Sequence, residues 1–254
     1  MNILVTNDDS IASPLFSMLV RFLEPLGTLS IVVPKHEQSW RGKSITAHDP
    51  VEVEETAIDG HPAFCINGTP ADAANWGIYH AGASKPDIVV SGINIGLNTG
   101  LGFMLSSGTV GACLEANIAG IPALALSQEF PRPIKREQWD LQKRFEDSII
   151  EHLEQQNQRV LPTIYQTVVP SRITDAVTWS ANVPFNVCDH FSVTDAYLGH
   201  AMYGSLFEKN GSHYNHRIHE IPTDPNDRSD IGVLKNGHVS LTRIDIRDIG
   251  RLSK

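Results

Sequence analysis

The sequence predicts an α/β fold built on a parallel sheet. Short apolar runs alternate with helical patterns through the first half of the chain, the signature of βα units. The first run, Ile3-Leu4-Val5, is apolar at every position, as a strand covered on both faces requires. Helix-start signals recur after such runs, at Ser13-Pro14, Thr69-Pro70 and Ser107-Gly108-Thr109.

Each element follows from local pattern. After Ser13-Pro14, the residues Leu15, Met18, Leu19, Phe22 and Leu23 recur at helical spacing, and Pro25 and Gly27 end the helix. Leu29 to Val33 reads as a second buried strand, followed by a polar loop over 35–44. Alternation at Val51 to Glu54, the Asp59-Gly60 turn signal and Ala63 to Ile66 predict a hairpin. Thr69-Pro70, with Asp72 in the first turn, starts a helix running to about His80. Asp87 to Ser91 is the next strand, and it enters a segment, GINIGLNTGLGF, too rich in Gly and Asn for regular structure. Ser107-Gly108-Thr109 opens an apolar helix with Val110, Leu114 and Ile118 on one face, and Ile121 to Leu126 is a strand. Residues 135–157 predict a helix through Trp139, Phe145, Ile149 and Leu153. Further on the pattern weakens: a strand pair over Thr178 to Val187, another over Ala201 to Phe207, an exposed loop over 221–230, and one late strand over Val239 to Ile246.

Composition narrows the function classes. The 254 residues carry 20 Lys and Arg against 29 Asp and Glu, a net charge of −9, and no basic stripe, which disfavours a nucleic-acid polymer as partner. An anionic ligand would need a metal ion or a helix N-terminus to offset that charge. No apolar run approaches the ~20 residues of a membrane span, and the N-terminus lacks the pattern of a signal peptide. Three scattered cysteines, Cys65, Cys113 and Cys188, form no C-x-x-C pair. They argue against a secreted disulfide scaffold, a zinc ribbon or a dithiol redox centre, and for a cytoplasmic location.

In an open parallel sheet, ligands bind beyond the carboxyl ends of the strands. Four polar groups fall there: Asn7-Asp8-Asp9, Ser39, the pair Asn94 and Asn98, and Ser107-Gly108-Thr109. Two adjacent carboxylates with neutral oxygens nearby suit a hard cation such as Mg²⁺ or Mn²⁺, and a helix start with Gly and hydroxyls suits an anion. Together they point to phosphate chemistry. Singly, each has a structural reading as a loop-capping carboxylate, an N-cap or a turn marked by Gly92, Gly96 or Gly100. A rival signal is His213, His216 and His219, spaced by three, which would line one face of a helix as metal ligands. A G-x-G-x-x-G turn and a G-x-x-x-x-G-K-[ST] loop are both missing, which disfavours a dinucleotide oxidoreductase and a P-loop NTPase. The adjacent Asp8-Asp9 pair also differs from the D-x-D of an aspartyl-phosphate phosphatase.

Five motifs in order, MNILVTNDDS, Ser39 with Ser44-Ile45-Thr46, NGTPAD, DIVVSGINIGLNTG and SSGTVGACLEANIAG, resemble the SurE family of metal-dependent nucleotide phosphatases. The resemblance is dense over 1–127 and beyond 130 rests on Asn182-Val183-Pro184 and SDIGVLKNGHVSLTRI. It implies a single Rossmann-like, doubly wound domain over 1–254, with a nucleotidase core at 1–130 and a C-terminal segment, 180–254, exchanged between subunits of a homodimer or homotetramer. It also implies hydrolysis of 5′ or 3′ nucleoside monophosphates with one divalent cation, Mg²⁺ or Mn²⁺, per subunit. By the same resemblance Asp8, Asp9, Ser39 and Asn94 match the metal ligands, with Asp8 and Asp9 catalytic, and Asn98, Ser107, Gly108 and Thr109 match the phosphate-contacting segment. Two positions depart from the family pattern: Ser10 stands where Gly is usual, and Trp40 where a small residue follows the ligand Ser. An indole there would crowd the metal or stack on a nucleobase. The alternative function is a catalytically weak nucleotide-binding or regulatory protein that kept the fold.

Overall fold

The computed structural model describes residues 1–130, 146–201, 203–216 and 221–249. The first half comprises β1 (Asn2–Thr6), α1 (Pro14–Leu23), β2 (Thr28–Pro34), β3 (Val53–Ile58), β4 (His61–Ile66), α2 (Pro70–Trp76), β5 (Ile88–Ile95), α3 (Gly100–Ser106), α4 (Gly108–Ile118) and β6 (Ala123–Gln128). Then come α5 (Asp147–Arg172), β7 (Thr178–Val183), β8 (Val193–Asp195), β9 (Phe207–Asn210), β10 (His213–His216), α6 (Asp230–Lys235) and β11 (Val239–Ile244). One nine-stranded sheet runs in the order β3-β4-β2-β1-β5-β6-β7-β11-β8, parallel except at β3/β4 and β7/β11, and β9 and β10 pair apart from it. From β1 the chain builds outward through β2 to β4, then returns to lay β5 on the other side of β1. The winding therefore reverses between β1 and β5, the point beyond whose strand ends open sheets of this kind bind ligands.

Strand alternation divides the core into two layers. Ile3 and Val5 pack on one face with Leu15, Phe16 and Leu19 of α1 and Leu153, Val160 and Ile164 of α5. Leu4, Val32, Val89 and Ala125 pack on the other with Ala73 of α2 and Val110, Cys113 and Ala116 of α4. The β3–β4 turn has positive φ at both Asp59 (50°) and Gly60 (82°), the backbone that an Asp-Gly hairpin turn selects. At α2, Thr69 accepts the Asp72 N–H and Asp72 accepts the Thr69 N–H, a reciprocal cap that satisfies two otherwise free donors.

Several expectations are corrected. The Gly- and Asn-rich segment after Ser91 is partly regular: β5 continues to Ile95, with a register shift between Ser91 and Asn94, and α3 starts at Gly100. Pairing with β6 carries the strand on where local composition predicts a loop. On α4 the buried face is Thr109, Val110, Gly111, Ala112, Cys113, Glu115 and Ala116, while Ile118 is exposed. Small residues there let the helix lie close to the sheet. The helix expected over 135–157 is α5, described from Asp147 and extending through Pro162 and Pro170 to Arg172; Trp139 and Phe145 lie outside the described residues. Buried Val160, Leu161, Ile164 and Val168 hold it against the sheet where each proline removes a backbone donor.

The region 178–187 gives one strand, β7, because the chain leaves the sheet at Pro184. No strand pair forms at 201–207 among the described residues; the hairpin lies at 207–216, and Ala201 makes a lone bridge to Thr223. The loop over 221–230 is not exposed throughout: Asp224, Ser229 and Asp230 are buried, and Ser229 caps α6 by accepting the Gly232 N–H. His213 and His216 sit three apart on a strand, where alternation sends them to opposite faces, so the helical metal face does not form; His219 lies outside the described residues. The segment expected to serve oligomerisation contributes β7, β8 and β11 to the main sheet.

Candidate functional site

Asp8 and Asp9 lie in the loop after β1, at the point where the winding reverses. The Asn7 Nδ2 donates to the Ser10 carbonyl at 2.8 Å, closing the loop, and Ser10 takes a left-handed φ of 68°. Asp8 is 3% exposed, and its Oδ1 accepts the Thr109 hydroxyl at 2.6 Å. A Cβ on Gly108 would come within 2.8 Å of Asp8 Oδ2, so only glycine lets the start of α4 approach the carboxylate this closely. Burial pushes the Asp8 carboxyl up to about 6, opposed by hydrogen bonds from the Thr109 hydroxyl and N–H, while nearby Glu37 adds to the rise. Asp9 Oδ2 accepts the Ile95 N–H at 2.8 Å, which joins the acid pair to the end of β5.

Asn94, one residue earlier on β5, donates its Nδ2 to the Gly96 carbonyl at 2.7 Å, a bond that fixes which end of the amide is the oxygen. Asn98 is held from two sides: its N–H donates to Asn182 Oδ1 and its Nδ2 to the Ser127 hydroxyl, both at 2.8 Å. Just beyond, the Gly100 N–H donates to Asp230 at 2.6 Å, and Asp230 also accepts the Gly199 and Ile231 N–H groups. At the start of α4, Ser107 accepts the Val110 N–H at 3.1 Å as N-cap. Thr109 commits its hydroxyl to Asp8 and so stands behind the acid pair.

The loop after β2 closes the arrangement. The Gln38 N–H donates to the Asp8 carbonyl at 2.8 Å. Ser39 is exposed and turns its hydroxyl to Glu37, donating to Oε1 at 2.6 Å. Trp40 is 45% exposed, has a left-handed φ of 65°, and meets the rings of Phe103, Tyr203 and His216 edge-on at centroid distances of 5.7, 5.9 and 5.2 Å. Farther along, the Gly42 N–H donates to the Ser106 carbonyl, Lys43 pairs with buried Glu115 at 2.6 Å, and Thr46 donates its hydroxyl to Asp72 at 2.6 Å. The loop is thereby fastened to α2, α3 and α4.

Hydrogen bonds thus join Asp8, Asp9, the end of β5 and Thr109 directly, and the Ser39 segment through Gln38. Local reading missed Glu37, Ser127, Asn182 and Asp230. Asp230 carried a signal, since Ser229-Asp230 reads as a helix cap with an acidic first turn. Asn182 carried none as a partner of Asn98, 84 residues away.

Asp8, Asp9, Ser39 and Asn94 offer only carboxylate, hydroxyl and amide oxygens, a donor set that fits a hard divalent cation. With its Nδ2 bound to Gly96, Asn94 keeps its amide oxygen as the donor atom, and the buried Oδ1 of Asn7 beside the pair has no hydrogen-bond partner. Among the described residues no three His, Cys, Asp or Glu side chains converge as a metal cluster.

Fold and site together define the class: a doubly wound α/β protein with a carboxylate pair at the reversal point of its sheet, faced by a helix N-terminus. Comparison with known proteins then identifies the lineage. The family model described as Survival protein SurE matches residues 3–203, and the chain belongs to the SurE family. It is 49% identical over 129 residues to the 5′-nucleotidase SurE of Methanopyrus kandleri, a match covering 51% of this chain and 49% of that protein. The chain thus spans about half the length of that relative. The 5′-nucleotidase SurE of Archaeoglobus fulgidus is 32% identical over 251 residues, covering 97% of this chain and 92% of that one. The crystal structure of the SurE protein from Aquifex aeolicus shares the fold, with a TM-score of 0.70 at 24% identity over 98% of this chain and 96% of that one.

Proposed function

We propose that this protein is a metal-dependent phosphomonoesterase that hydrolyses nucleoside monophosphates to nucleoside and phosphate. The observation that carries the reading is the convergence of Asp8 and Asp9 with the end of β5 and the N-terminus of α4. A carboxylate pair alone would repel a phosphate dianion in a chain of net charge −9. Asp8, Asp9, Ser39 and the Asn94 amide oxygen would hold one divalent cation, Mg²⁺ or Mn²⁺. When bound, that cation supplies Lewis-acid polarisation of a phosphoryl oxygen and offsets the negative charge.

The remaining work falls to groups of this chain. In the first turn of α4 the N–H groups of Thr109, Val110 and Gly111 are taken by Asp8, the Ser107 hydroxyl and the Ser107 carbonyl. The Gly108 N–H is left to meet a phosphoryl oxygen, with the Ser107-Gly108-Thr109 turn and Asn98 forming the phosphate-contacting segment. Asn98 is preorganised for this by Asn182 and Ser127, so it need not reorient as charge develops. Thr109 contributes through the carboxylate that it orients. Trp40, beside Ser39, offers its open ring surface to a nucleobase.

The same reading makes the protein a cytoplasmic homodimer or homotetramer that exchanges C-terminal segments. The three cysteines are free thiols, and no helix among the described residues is long and apolar enough to cross a membrane.

The test is phosphate release from 5′ and 3′ nucleoside monophosphates with Mg²⁺, with Mn²⁺ and after chelation. Turnover should require the metal and fall to background in Asp9→Asn. Equal rates in chelated and metal-loaded protein would sink the proposal. Metal-dependent nucleotide binding without turnover would favour the weak-binder alternative, which the left-handed Ser10 and Trp40 beside the site support.

A further inference from the structure

We infer that Glu37 is a positioning residue for Ser39, holding its hydroxyl so that the oxygen lone pairs face a cation on Asp8 and Asp9. This rests on the reading of Ser39 as a metal ligand. A serine can ligate a cation only through its oxygen, so its hydrogen must be accepted elsewhere. Glu37 Oε1 accepts it at 2.6 Å, a short charge-assisted bond. The segment has little freedom to rearrange, because the intervening Gln38 N–H is fixed to the Asp8 carbonyl at 2.8 Å. Glu37 and Ser39 therefore flank a point anchored on the acid pair.

Among the described residues Glu37 forms no ion pair that would draw it away from Ser39. A third carboxylate that touches no phosphate yet polarises a neutral ligand outward is the arrangement by which groups behind a ligand strengthen metal binding.

Mn²⁺ titration of the full chain by calorimetry tests the inference without reading activity. Glu37→Ala should weaken Mn²⁺ binding ~10–100-fold. Glu37→Gln keeps an acceptor for the Ser39 hydrogen and should recover most of the loss, which separates positioning from charge alone. In a Ser39→Ala background, Glu37→Ala should change affinity by no more than about twofold, because the group it acts through is gone. The inference is overturned if Glu37→Ala binds Mn²⁺ like the parent, or if it loses the same factor with Ser39 absent. If Ser39→Ala and Asp9→Asn both leave the affinity unchanged, the ligand assignment itself fails and the inference goes with it.

Discussion

Ser10 and Trp40, the two departures from the family pattern, are two of the three non-glycine residues with positive φ among the described residues, at 68° and 65°. The left-handed region explains why glycine is favoured at position 10: an L side chain there costs roughly 1–2 kcal/mol that glycine avoids. Ser10→Gly should therefore stabilise the protein, by about 1 kcal/mol after the entropy that glycine adds to the unfolded chain. Chemical denaturation measures this, and an unchanged or lower midpoint would contradict it. Trp40 differs because its ring has contacts to lose as well as strain to relieve. Its edge-on neighbours Phe103, Tyr203 and His216 steady the indole while 45% of the residue stays exposed. Base stacking of ~1–3 kcal/mol is then available, by analogy with single-stranded nucleic-acid binders. Trp40→Gly should raise KM for nucleoside monophosphates while barely changing glycerol phosphate hydrolysis. Equal losses on both substrates would reduce the ring to a loop support.

At the scale of elements, the last turn shows electrostatics closing a strand. Asp245, just after β11, is 5% exposed at its side chain and accepts the Arg247 N–H, Nε and Nη2 and the Arg243 Nη2. The Arg247 hydrogen bonds, joined by Arg243, hold its carboxyl well below the usual carboxylate range. A depressed native pKa favours the folded state above the unfolded value of ~3.9 and loses that contribution as pH falls toward the native value. Asp245→Asn should thus be less stable than the parent at pH 7, with the gap narrowing only below about pH 4. Denaturation at pH 7 and pH 3 checks it, and a gap independent of pH would refute it. Legibility follows the same division. Elements whose signal is local were readable: the Asp59-Gly60 turn, the Thr69 cap, and strands such as β1 that are apolar throughout. Elements set by distant partners were not. The second part of β5 takes its shape from β6, α5 runs through two prolines because its apolar face is covered, and β8 is only three residues alongside β11. In the site, Asp8, Asp9, Ser39 and Asn94 stood out by residue type after strands. Glu37 had no pattern to announce it, and Asn182, though in a noticed motif, gave no sign of its bond to Asn98.

For the whole molecule, the sheet organises the site but leaves one part of the chain without a bed. Reversal of the winding between β1 and β5 brings groups 80 and more residues apart, such as Asp9 and Ile95, together beyond the strand ends. β7, α6 and β11 complete the far side, and Asp230 ties that side back to Gly100. The β9–β10 hairpin belongs to neither face. Among the described residues it pairs only with itself, and its Phe207 and Tyr214 are 59% and 65% exposed. A lone two-stranded ribbon is marginal in water, and its ring contact to Trp40 through His216 covers little of it. Leu101 and Leu105 of α3 are exposed as well, so both an apolar arm and an apolar seat are present. In a symmetric pair, each arm would cover apolar surface on the other subunit, and both copies would be satisfied by the same contact. The protein should therefore be a homo-oligomer by light scattering at micromolar concentration. Replacing Phe207 and Tyr214 with Ser should shift it toward monomer while leaving the main sheet folded by circular dichroism. A monomeric parent chain would refute the expectation, and an oligomer indifferent to both substitutions would move the interface away from the arm.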